Sequence, residues 1–502
     1  MNAISLAAGV VMTGFDGTSL DEPTVARLTQ LPFAGYILFA RNVDRLESVR
    51  ALTDRLRELS EPPPIVAIDQ EGGRVARIRD GVEELPPMMA LGATRDRDLA
   101  FRAGAQLGHD LRRAGITHDF APVADLALDA ANTVIGARAF ASSPQLVIQL
   151  AGAFARGMGD AGMGSTIKHF PGHGSTSVDS HVALPVLDAG AATLRARDLE
   201  PFRMLLPEVT SVMAAHVVAR AFDDALPASL SPKLLTGILR DEWGFNGVCF
   251  TDCMQMDAIA RGVGTVEGVA AAIAAGADCA IVSHDPDLAA AAVMHLASEV
   301  EAGRIPRSRV EEAYARTMRL RAAASPPLPL DDPAPHAGIG REIARRAVTC
   351  IRGVAHADST ASVVVSFEGA TVEGAQGRLD LRASLRSQAP ALAEIVVSLE
   401  PAAQEAAAVL DALEQQRRRP IVLARRAREL ASQRACIEGI IDRCPDTIVV
   451  CAREPFDAPL FARAKHLLAT YGDTPVSLQG LADVLFGDGD AQGVLPVEFP
   501  DA

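Results

Sequence analysis

The stretch Ile65-Val66-Ala67-Ile68-Asp69 is a run of apolar residues that ends on a carboxylate. Seven further short apolar runs precede residue 290, at residues 7–12, 35–39, 116–125, 164–170, 209–216, 247–252 and 279–282. Continuous apolar runs of this length are typical of the buried strands of a parallel sheet whose faces are covered by helices. The longer Ala-, Leu- and Arg-rich stretches between them predict helices that alternate with eight strands.

The polar residues that end these runs distinguish between two topologies. Eight β-then-α repeats over about 320 residues fit a (β/α)8 barrel of the TIM type, and an open doubly wound sheet is the alternative. Barrel enzymes place their chemistry at the carboxyl ends of the strands. Here five runs end on chemically active side chains, namely Asp69, His169, His216, Asp252 and His284. This recurrence favours the barrel.

The length of the chain indicates two domains. Its 502 residues exceed what one hydrophobic core usually supports. A Pro-rich segment that starts at Ser325 indicates a stiff, extended linker. We therefore predict a catalytic barrel over residues 1–324, a linker over residues 325–340 and a smaller α/β sandwich domain over residues 341–502. The last contains a helical run at 343–350 and apolar segments at 363–367, 395–399, 421–424 and 447–451.

Composition and charge argue against several classes of protein. The formal net charge of -15 opposes binding to nucleic acid or to an anionic membrane, because both require a basic surface. The seven cysteines are odd in number and scattered, so they are interpreted as reduced thiols. No apolar run reaches the ~20 residues that span a bilayer, and the N-terminus lacks the basic region of a signal peptide. The sequence predicts a cytoplasmic protein with a small, uncharged or locally recognised substrate.

A histidine-rich segment predicts the active site. Lys168-His169-Phe170-Pro171-Gly172-His173-Gly174 is followed closely by Asp179-Ser180-His181. Burying so many titratable groups without partners is costly, so they are expected to line a polar cleft. In extended backbone Asp179 and His181 point to the same side, so the carboxylate can fix the imidazole tautomer and leave Nε2 to exchange a proton. The alternative is a loop aspartate that caps a turn beside an unrelated histidine.

Two other motifs carry carboxylates. Asp252 ends its apolar run just before a predicted helix near Met254, so it is either a helix N-cap or an exposed nucleophile. Asp69-Gln70-Glu71-Gly72-Gly73-Arg74-Val75-Ala76-Arg77 places two carboxylates and two guanidinium groups around a Gly-Gly turn. The planar fork of arginine suits recognition of hydroxyls or carboxylates. Nucleotide binding is disfavoured, because the spacing matches neither a Walker nor a dinucleotide motif.

Metal binding is also disfavoured. His169 and His173 are four residues apart, as in helical zinc motifs, but Pro171 and Gly172 between them prevent that helix. No metal site and no cofactor are therefore expected.

Taken together, these segments resemble family 3 glycoside hydrolases, and within that family the two-domain bacterial β-N-acetylglucosaminidases. The most specific match is the long histidine motif joined to Asp-Ser-His. The matching segments are Asp69 to Val75, Phe120 to Asp125, Val134 to Phe140, Lys168 to Gly174, Asp179 to His181, and Thr251-Asp252. The resemblance implies a retaining exo-glycosidase that removes terminal β-linked N-acetylglucosamine from peptidoglycan fragments.

The resemblance also implies roles for individual residues. Asp252 is the implied nucleophile, and the Asp179/His181 pair is the implied acid/base of a double displacement. His173 is expected to shape its loop. The second domain need not supply an acid/base and is interpreted as structural or interface-forming. The implied substrate contacts are Asp69, Arg77, Arg138, Lys168, His169 and His216.

Several alternatives stay open at this stage. A neutral histidine base repels phosphate less than a carboxylate does, so a β-N-acetylglucosaminide phosphorylase is a close rival. A β-glucosidase-type exo-glycosidase would share the fold and differ in not requiring the N-acetyl group. A non-catalytic sugar-binding protein and a metallohydrolase are the alternatives from other classes. The sequence makes no prediction about oligomeric state.

Overall fold

The computed structural model describes residues 1–176, 184–369, 381–386 and 388–499. The first part of the chain forms a closed barrel of eight parallel strands, which follow one another around the barrel in chain order. This confirms the predicted (β/α)8 fold. The barrel strands are β1 Val11–Thr13, β2 Gly35–Leu38, β3 Ile65–Ile68, β4 His118–Asp119, β5 Gly164–Phe170, β7 Ser211–Ala214, β9 Val248–Cys253 and β10 Cys279–Val282. Two short strands outside the barrel, β6 Val186–Leu187 and β8 Val218–Ala219, pair with each other.

Helices surround the barrel and bury their apolar faces against it. They are α1 Ala3–Ala8, α2 Glu22–Leu28, α3 Leu46–Arg57, α4 Met88–Thr94, α5 Arg97–Arg113, α6 Pro144–Asp160, α7 Ala191–Ala196, α8 Glu200–Leu205, α9 Asp257–Ala260, α10 Thr265–Ala275, α11 Pro286–Glu301, α12 Arg307–Ala322 and a π-helix at Lys233–Glu242. Among the described residues, none of the helices has the length and apolarity to cross a bilayer.

Two of the predicted strands differ from the structure. The run at residues 7–12 begins inside α1 and only its end belongs to β1, because alanine-rich residues favour a helix and Asn2 caps it by accepting a hydrogen bond from the Ser5 amide at 2.8 Å. The run at residues 116–125 contributes only the two residues of β4. Pro122 has no N–H to continue the ladder, and pairing resumes at Val123, which bridges to Lys168.

The second part of the chain is an α/β domain with a six-stranded sheet in the order β11-β16-β15-β14-β12-β13. All neighbouring pairs are parallel except β11 with β16. Its strands are β11 Thr349–Arg352, β12 Ser362–Glu368, β13 Ala393–Ser398, β14 Arg419–Ala424, β15 Ile448–Cys451 and β16 His466–Ala469. Its helices are α13 Ile339–Ala347, α14 Leu381–Arg386, α15 Ala403–Gln416, α16 Ala431–Arg443 and α17 Pro475–Phe486.

The prediction missed two strands of this sheet, β11 and β16. It also extended the helix at 343–350 too far, because Cys350 lies in β11 and pairs with Leu468. Both missed strands are four residues long, and β16 begins on a histidine, so neither has a long apolar run to reveal it.

The segment between α12 and α13 contains neither helix nor strand, and it is bound to the barrel surface. Arg112 donates to the Pro326 carbonyl at 2.7 Å and Arg113 to the Leu330 carbonyl at 2.6 Å. Arg50 donates to the Leu328 carbonyl at 2.6 Å. The second domain continues this attachment through α13, which packs against α4 and α5. The two domains therefore contact each other beside the barrel.

A histidine occupies the interior of the barrel among hydroxyl groups. Nε2 of His118 lies 2.7 Å from Oγ1 of Thr166 and 2.8 Å from Oγ of Ser211. The ring is fully buried beside Phe120 and Phe250. Burial lowers the pKa of His118 to about 3, because within the described part of the chain no charged side chain compensates the loss of water around a cationic ring. The barrel core thus holds a neutral imidazole.

The stability of the fold should therefore fall as the pH falls between about 6.5 and about 3. In that interval the unfolded chain binds a proton on His118 and the folded chain does not. The contribution of the neutral His118 to the free energy of unfolding is therefore fully present above the interval and is lost as the pH falls through it. The slope of the unfolding free energy against pH should be smaller in the variant His118→Gln, by an amount that corresponds to at most one bound proton. Urea denaturation at a series of pH values measures it, and an unchanged slope contradicts the assignment.

Candidate active site

A cavity of about 750 Å³ opens at the carboxyl ends of the barrel strands. Asp69 follows β3, Lys168 and His169 belong to β5, Asp252 belongs to β9, and His284 follows β10. All five side chains line the cavity. The strand ends therefore bring together polar residues that are far apart in sequence, at the place where barrel enzymes carry their chemistry.

One side of the cavity is a network of two carboxylates and two cations. Nζ of Lys168 lies 2.7 Å from Oδ1 of Asp69 and 2.6 Å from Oε1 of Glu71. Arg138 donates two hydrogen bonds to the same Glu71 carboxylate, from Nε at 2.8 Å and from Nη2 at 2.7 Å. Lys168 and Glu71 have only 2% of their side chains exposed, so these charges are desolvated and fixed by each other.

The ionisation of this network follows from its pairing. Burial opposes the negative charge of Glu71, but the charges of Arg138 and Lys168 outweigh burial and hold the pKa of that carboxyl below its usual value. Burial likewise opposes the positive charge of Lys168, and Asp69 and Glu71 reverse the effect and raise its pKa. The network therefore stays charged and presents fixed donors and acceptors, a suitable arrangement for ring hydroxyls.

His169 is held in one orientation by a buried carboxylate. Its Nδ1 lies 2.6 Å from Oδ2 of Asp125. The backbone amides of His169 and His173 also donate hydrogen bonds to the Asp125 carboxylate. Because the carboxylate accepts, Nδ1 carries the hydrogen, and Nε2 points as an acceptor towards Nη2 of Arg138 at 3.4 Å. Burial disfavours the Asp125 carboxylate, but its interactions with His169 and His173, including the hydrogen bonds that they donate, outweigh burial and lower the pKa of Asp125.

Asp252 does not cap the following helix, which begins at Asp257 with Met256 in the N-cap position. The helix predicted near Met254 therefore starts three residues later. The half-buried Asp252 side chain lines the cavity, and its Oδ1 accepts a hydrogen bond from the Cys253 amide at 2.7 Å. This geometry rules out the N-cap interpretation of Asp252. The interpretation of Asp252 as a nucleophile stays a prediction.

His216 lies behind Asp252. It is fully buried, with Nδ1 2.7 Å from Oγ of Ser229 and Nε2 2.9 Å from the Cys253 carbonyl. Since a carbonyl only accepts, Nε2 donates to it and holds the peptide between Cys253 and Met254. Among the described residues that line the cavity His216 does not appear, so the predicted contact of His216 with a substrate stays a prediction.

Of the remaining predicted residues, Arg77 and His173 line the cavity, whereas Asp179 and His181 lie outside the described residues. Arg77 lines the cavity with its Nη2 3.8 Å from Oδ2 of Asp69. His173 also lines it, and its Nδ1 lies 2.7 Å from Oγ1 of Thr176. Asp179 and His181 lie outside the described residues, so the proposed acid/base pair is not located here. Within the described part of the chain, no group of three or more His, Cys, Asp or Glu residues is arranged to hold a metal ion.

The second domain completes the cavity wall. Arg425, Arg453 and Asp473 line it from the ends of β14, β15 and β16. Arg425 donates to Oδ2 of Asp473 from Nε at 2.8 Å and to the Phe367 carbonyl from Nη1 at 2.9 Å. The sequence interpretation of a structural or interface-forming domain therefore missed its contribution to the site. It also assigned no role to Glu71 and Asp125, although both lie within the motifs that carry the resemblance.

A (β/α)8 barrel whose strand ends form this polar cavity defines an enzyme of the barrel class with a small-molecule site. Residues 10–320 match the N-terminal domain of glycosyl hydrolase family 3, and the chain belongs to this family. The chain is 42% identical over 302 residues to a β-hexosaminidase from Chromobacterium violaceum, covering 59% of this chain and 84% of that one.

Two solved structures define the domain arrangement among relatives. A family 3 β-N-acetylglucosaminidase from Paenibacillus sp. FPU-7 is 34% identical to this chain and has a TM-score of 0.92. The match covers 99% of this chain and 99% of that one. NagZ from Neisseria gonorrhoeae, also 34% identical, has a TM-score of 0.53 and covers 62% of this chain and 98% of its own length. The Neisseria structure thus matches little more than the barrel, whereas the Paenibacillus structure matches both domains.

Removing the charge of Glu71 should destabilise the protein. In Glu71→Gln the buried ammonium and guanidinium groups lose a shared carboxylate, which costs about 3 to 5 kcal/mol for a buried pair. Chemical denaturation measures the change. Asp287→Asn is the matched control, because the Arg27–Asp287 pair is solvent-exposed and contributes at most about 1 kcal/mol. Equal effects of the two substitutions contradict the structural importance of the buried network.

Proposed function

We propose that this glycoside hydrolase removes terminal β-linked N-acetylglucosamine with retention of configuration, through a covalent intermediate on Asp252. The observation that carries the proposal is that Asp252 and the network of Asp69, Glu71, Lys168 and Arg138 line one cavity. A retaining glycosidase requires a carboxylate nucleophile and an acid/base, and hydrogen bonds to the sugar hydroxyls stabilise its transition state. The names of the Chromobacterium and Paenibacillus relatives support the same substrate class.

The proposed reaction has two displacements at the anomeric carbon. In the first, Asp252 forms a bond to that carbon while the bond to the leaving oxygen breaks and the oxygen takes a proton from His181. In the second, His181 takes a proton from water as the water oxygen attacks the same carbon and releases Asp252. Asp179 orients the imidazole throughout. Two inversions leave the product in the β configuration.

The charged network is proposed to bind the ring hydroxyls of the sugar. Lys168 and Arg138 donate hydrogen bonds, Asp69 accepts them, and Nε2 of His169 accepts on the same side. Because the network already pairs its charges, a neutral sugar enters without leaving a buried charge unpaired. Hydrogen bonds that shorten as positive charge develops on the sugar ring stabilise the transition state more than the ground state. Arg77 is the remaining proposed sugar contact.

We further propose that the natural substrates are peptidoglycan fragments and that the protein acts in the cytoplasm. The net charge of -15 agrees with a partner other than nucleic acid or anionic lipid. We also propose a division into a catalytic domain at residues 1–324, a linker at 325–340 and a second domain at 341–502. The end of α12 at Ala322 and the start of α13 at Ile339 support this division.

Substituting the proposed nucleophile should nearly abolish turnover. Asp252→Ala is expected to lower kcat/KM for a chromogenic N-acetyl-β-glucosaminide on the order of 10³-fold or more, because no covalent intermediate forms. Added azide should restore turnover by attacking from the side that Asp252 occupied and should yield the α-glycosyl azide, whose configuration NMR determines.

Asp257→Ala is the matched control for this experiment, since Asp257 is a second carboxylate on the cavity wall, paired with Arg261 at 3.0 Å. It should lower turnover far less and show no azide product. Full activity of Asp252→Ala, or rescue that yields a β-azide, contradicts the proposed nucleophile.

Substituting the proposed acid/base should affect substrates according to their leaving groups. His181→Ala should slow the hydrolysis of a natural disaccharide more than that of a nitrophenyl glycoside, because a good leaving group needs little protonation. Steady-state kcat/KM values for the two substrates measure the difference. Asp252→Ala should slow both alike. Equal losses in His181→Ala argue against leaving-group protonation by this residue.

A further inference from the structure

His284 is a cavity-lining histidine at a strand end to which the proposed mechanism gives no task. It follows β10 and lines the cavity with an exposed ring. Its backbone amide donates to Oε1 of Gln255 at 2.7 Å, so its position is tied to the loop that follows Asp252. Strand β10 pairs with β9, which carries Asp252. The ring therefore lies on the strand next to the proposed nucleophile.

An arginine determines which ring nitrogen of His284 carries hydrogen. Nη1 of Arg41 lies 3.0 Å from Nδ1 of His284. A guanidinium group can only donate, so Nδ1 accepts and the hydrogen of the neutral ring is on Nε2. Burial and the charge of Arg41 lower the pKa of His284, and both keep the ring neutral.

Arg41 is itself fixed by three further partners. Its Nη2 donates to the Ser283 carbonyl at 2.7 Å, its Nε donates to the Phe15 carbonyl at 3.0 Å, and Nε lies 2.8 Å from Oδ1 of Asp16. The guanidinium carbon also lies 4.8 Å from the centre of the Phe39 ring. With so many partners Arg41 has little freedom to turn away, so the tautomer of His284 is a built-in property of the site.

An aromatic face lies beside the Nε2 donor. The rings of Phe39 and His284 are 5.2 Å apart at an interplanar angle of 35°. Phe39 is partly exposed and lines the cavity together with the apolar side chains of Ile37 and Ile281. This wall offers one hydrogen-bond donor next to apolar surface. The guanidinium carbon of Arg77 lies 5.7 Å from the centre of the Phe39 ring, and Arg77 in turn approaches Asp69 of the charged network. An apolar wall with one neutral donor thus lies beside a set of charged hydroxyl partners, and the two suit different parts of a ligand.

We propose that His284 donates its Nε2 hydrogen to the carbonyl oxygen of the 2-acetamido group, whose methyl group packs on Phe39. The inference rests on the proposed function and deepens it by assigning the residue that selects N-acyl amino sugars. An acetamido group combines one carbonyl acceptor with a methyl group, which matches this wall. It is attached to the carbon next to the anomeric carbon, which agrees with a donor on the strand next to Asp252.

The first test compares substrates that differ only at carbon 2. His284→Ala should lower kcat/KM for a nitrophenyl N-acetyl-β-glucosaminide about 10- to 100-fold, through KM and kcat, and change the value for the matching β-glucoside by less than about 3-fold. Phe39→Ala should shift the same ratio in the same direction. His295→Ala, on α11, serves as the control and should leave both values unchanged. Equal losses on the two substrates, or no loss on either, overturn the proposal.

The second test concerns the tautomer and does not require turnover. In ¹⁵N-histidine-labelled protein the His284 ring should show a single Nε2–H form, and its signals should shift on titration with N-acetylglucosamine but not with glucose. Arg41→Gln should produce a mixture of tautomers and a raised KM, because Arg41 is a positioning residue. A Nδ1–H form, or identical shifts with both sugars, overturns the proposal. If the wild-type protein fails to hydrolyse the N-acetyl reporter, the proposed hydrolysis fails, and the titration still tests His284.

Discussion

The buried contact among Lys168, Glu71 and Arg138 is the constraint on which the rest of the site depends. The three groups come from β5, from the loop after β3 and from the turn at Gly136–Arg138, and none of them is stable as a buried ion alone. Their mutual pairing holds the end of β5, the loop after β3 and the turn at Gly136–Arg138 at one position above the barrel. Asp69 then acquires a fixed orientation because it is bonded to Lys168, and His169, which Asp125 holds, points its Nε2 towards Arg138.

The fold could be predicted in outline because a parallel barrel leaves a clear record in the sequence. Buried strands such as β3 and β10 are short apolar runs, and the polar residues after them indicated the functional edge. The prediction failed where local chemistry competed with apolarity. Alanines at residues 3–8 formed a capped helix, and the ladder around β4 stopped at a proline.

The site could be predicted less completely than the fold, because the interactions that matter join distant residues. Asp69, Arg77, Arg138, Lys168, His169 and Asp252 lay in specific motifs and all line the cavity. Glu71 gains its role only from Arg138, and Asp125 only from His169. Nothing local to Arg425 or Asp473 indicates that they meet each other and face a barrel more than a hundred residues away in the chain. That information exists only in the packing of the two domains.

The wall that Arg425, Arg453 and Asp473 contribute gives the molecule a modular architecture. The proposed nucleophile and the charged network belong to the barrel, and the Neisseria relative matches little of the chain beyond the barrel. The wall of the cavity, in contrast, is shared between the two domains. Natural variation in the loops after β14, β15 and β16 can thus reshape what approaches the barrel while its strand ends stay unaltered, which separates the evolution of selectivity from that of catalysis.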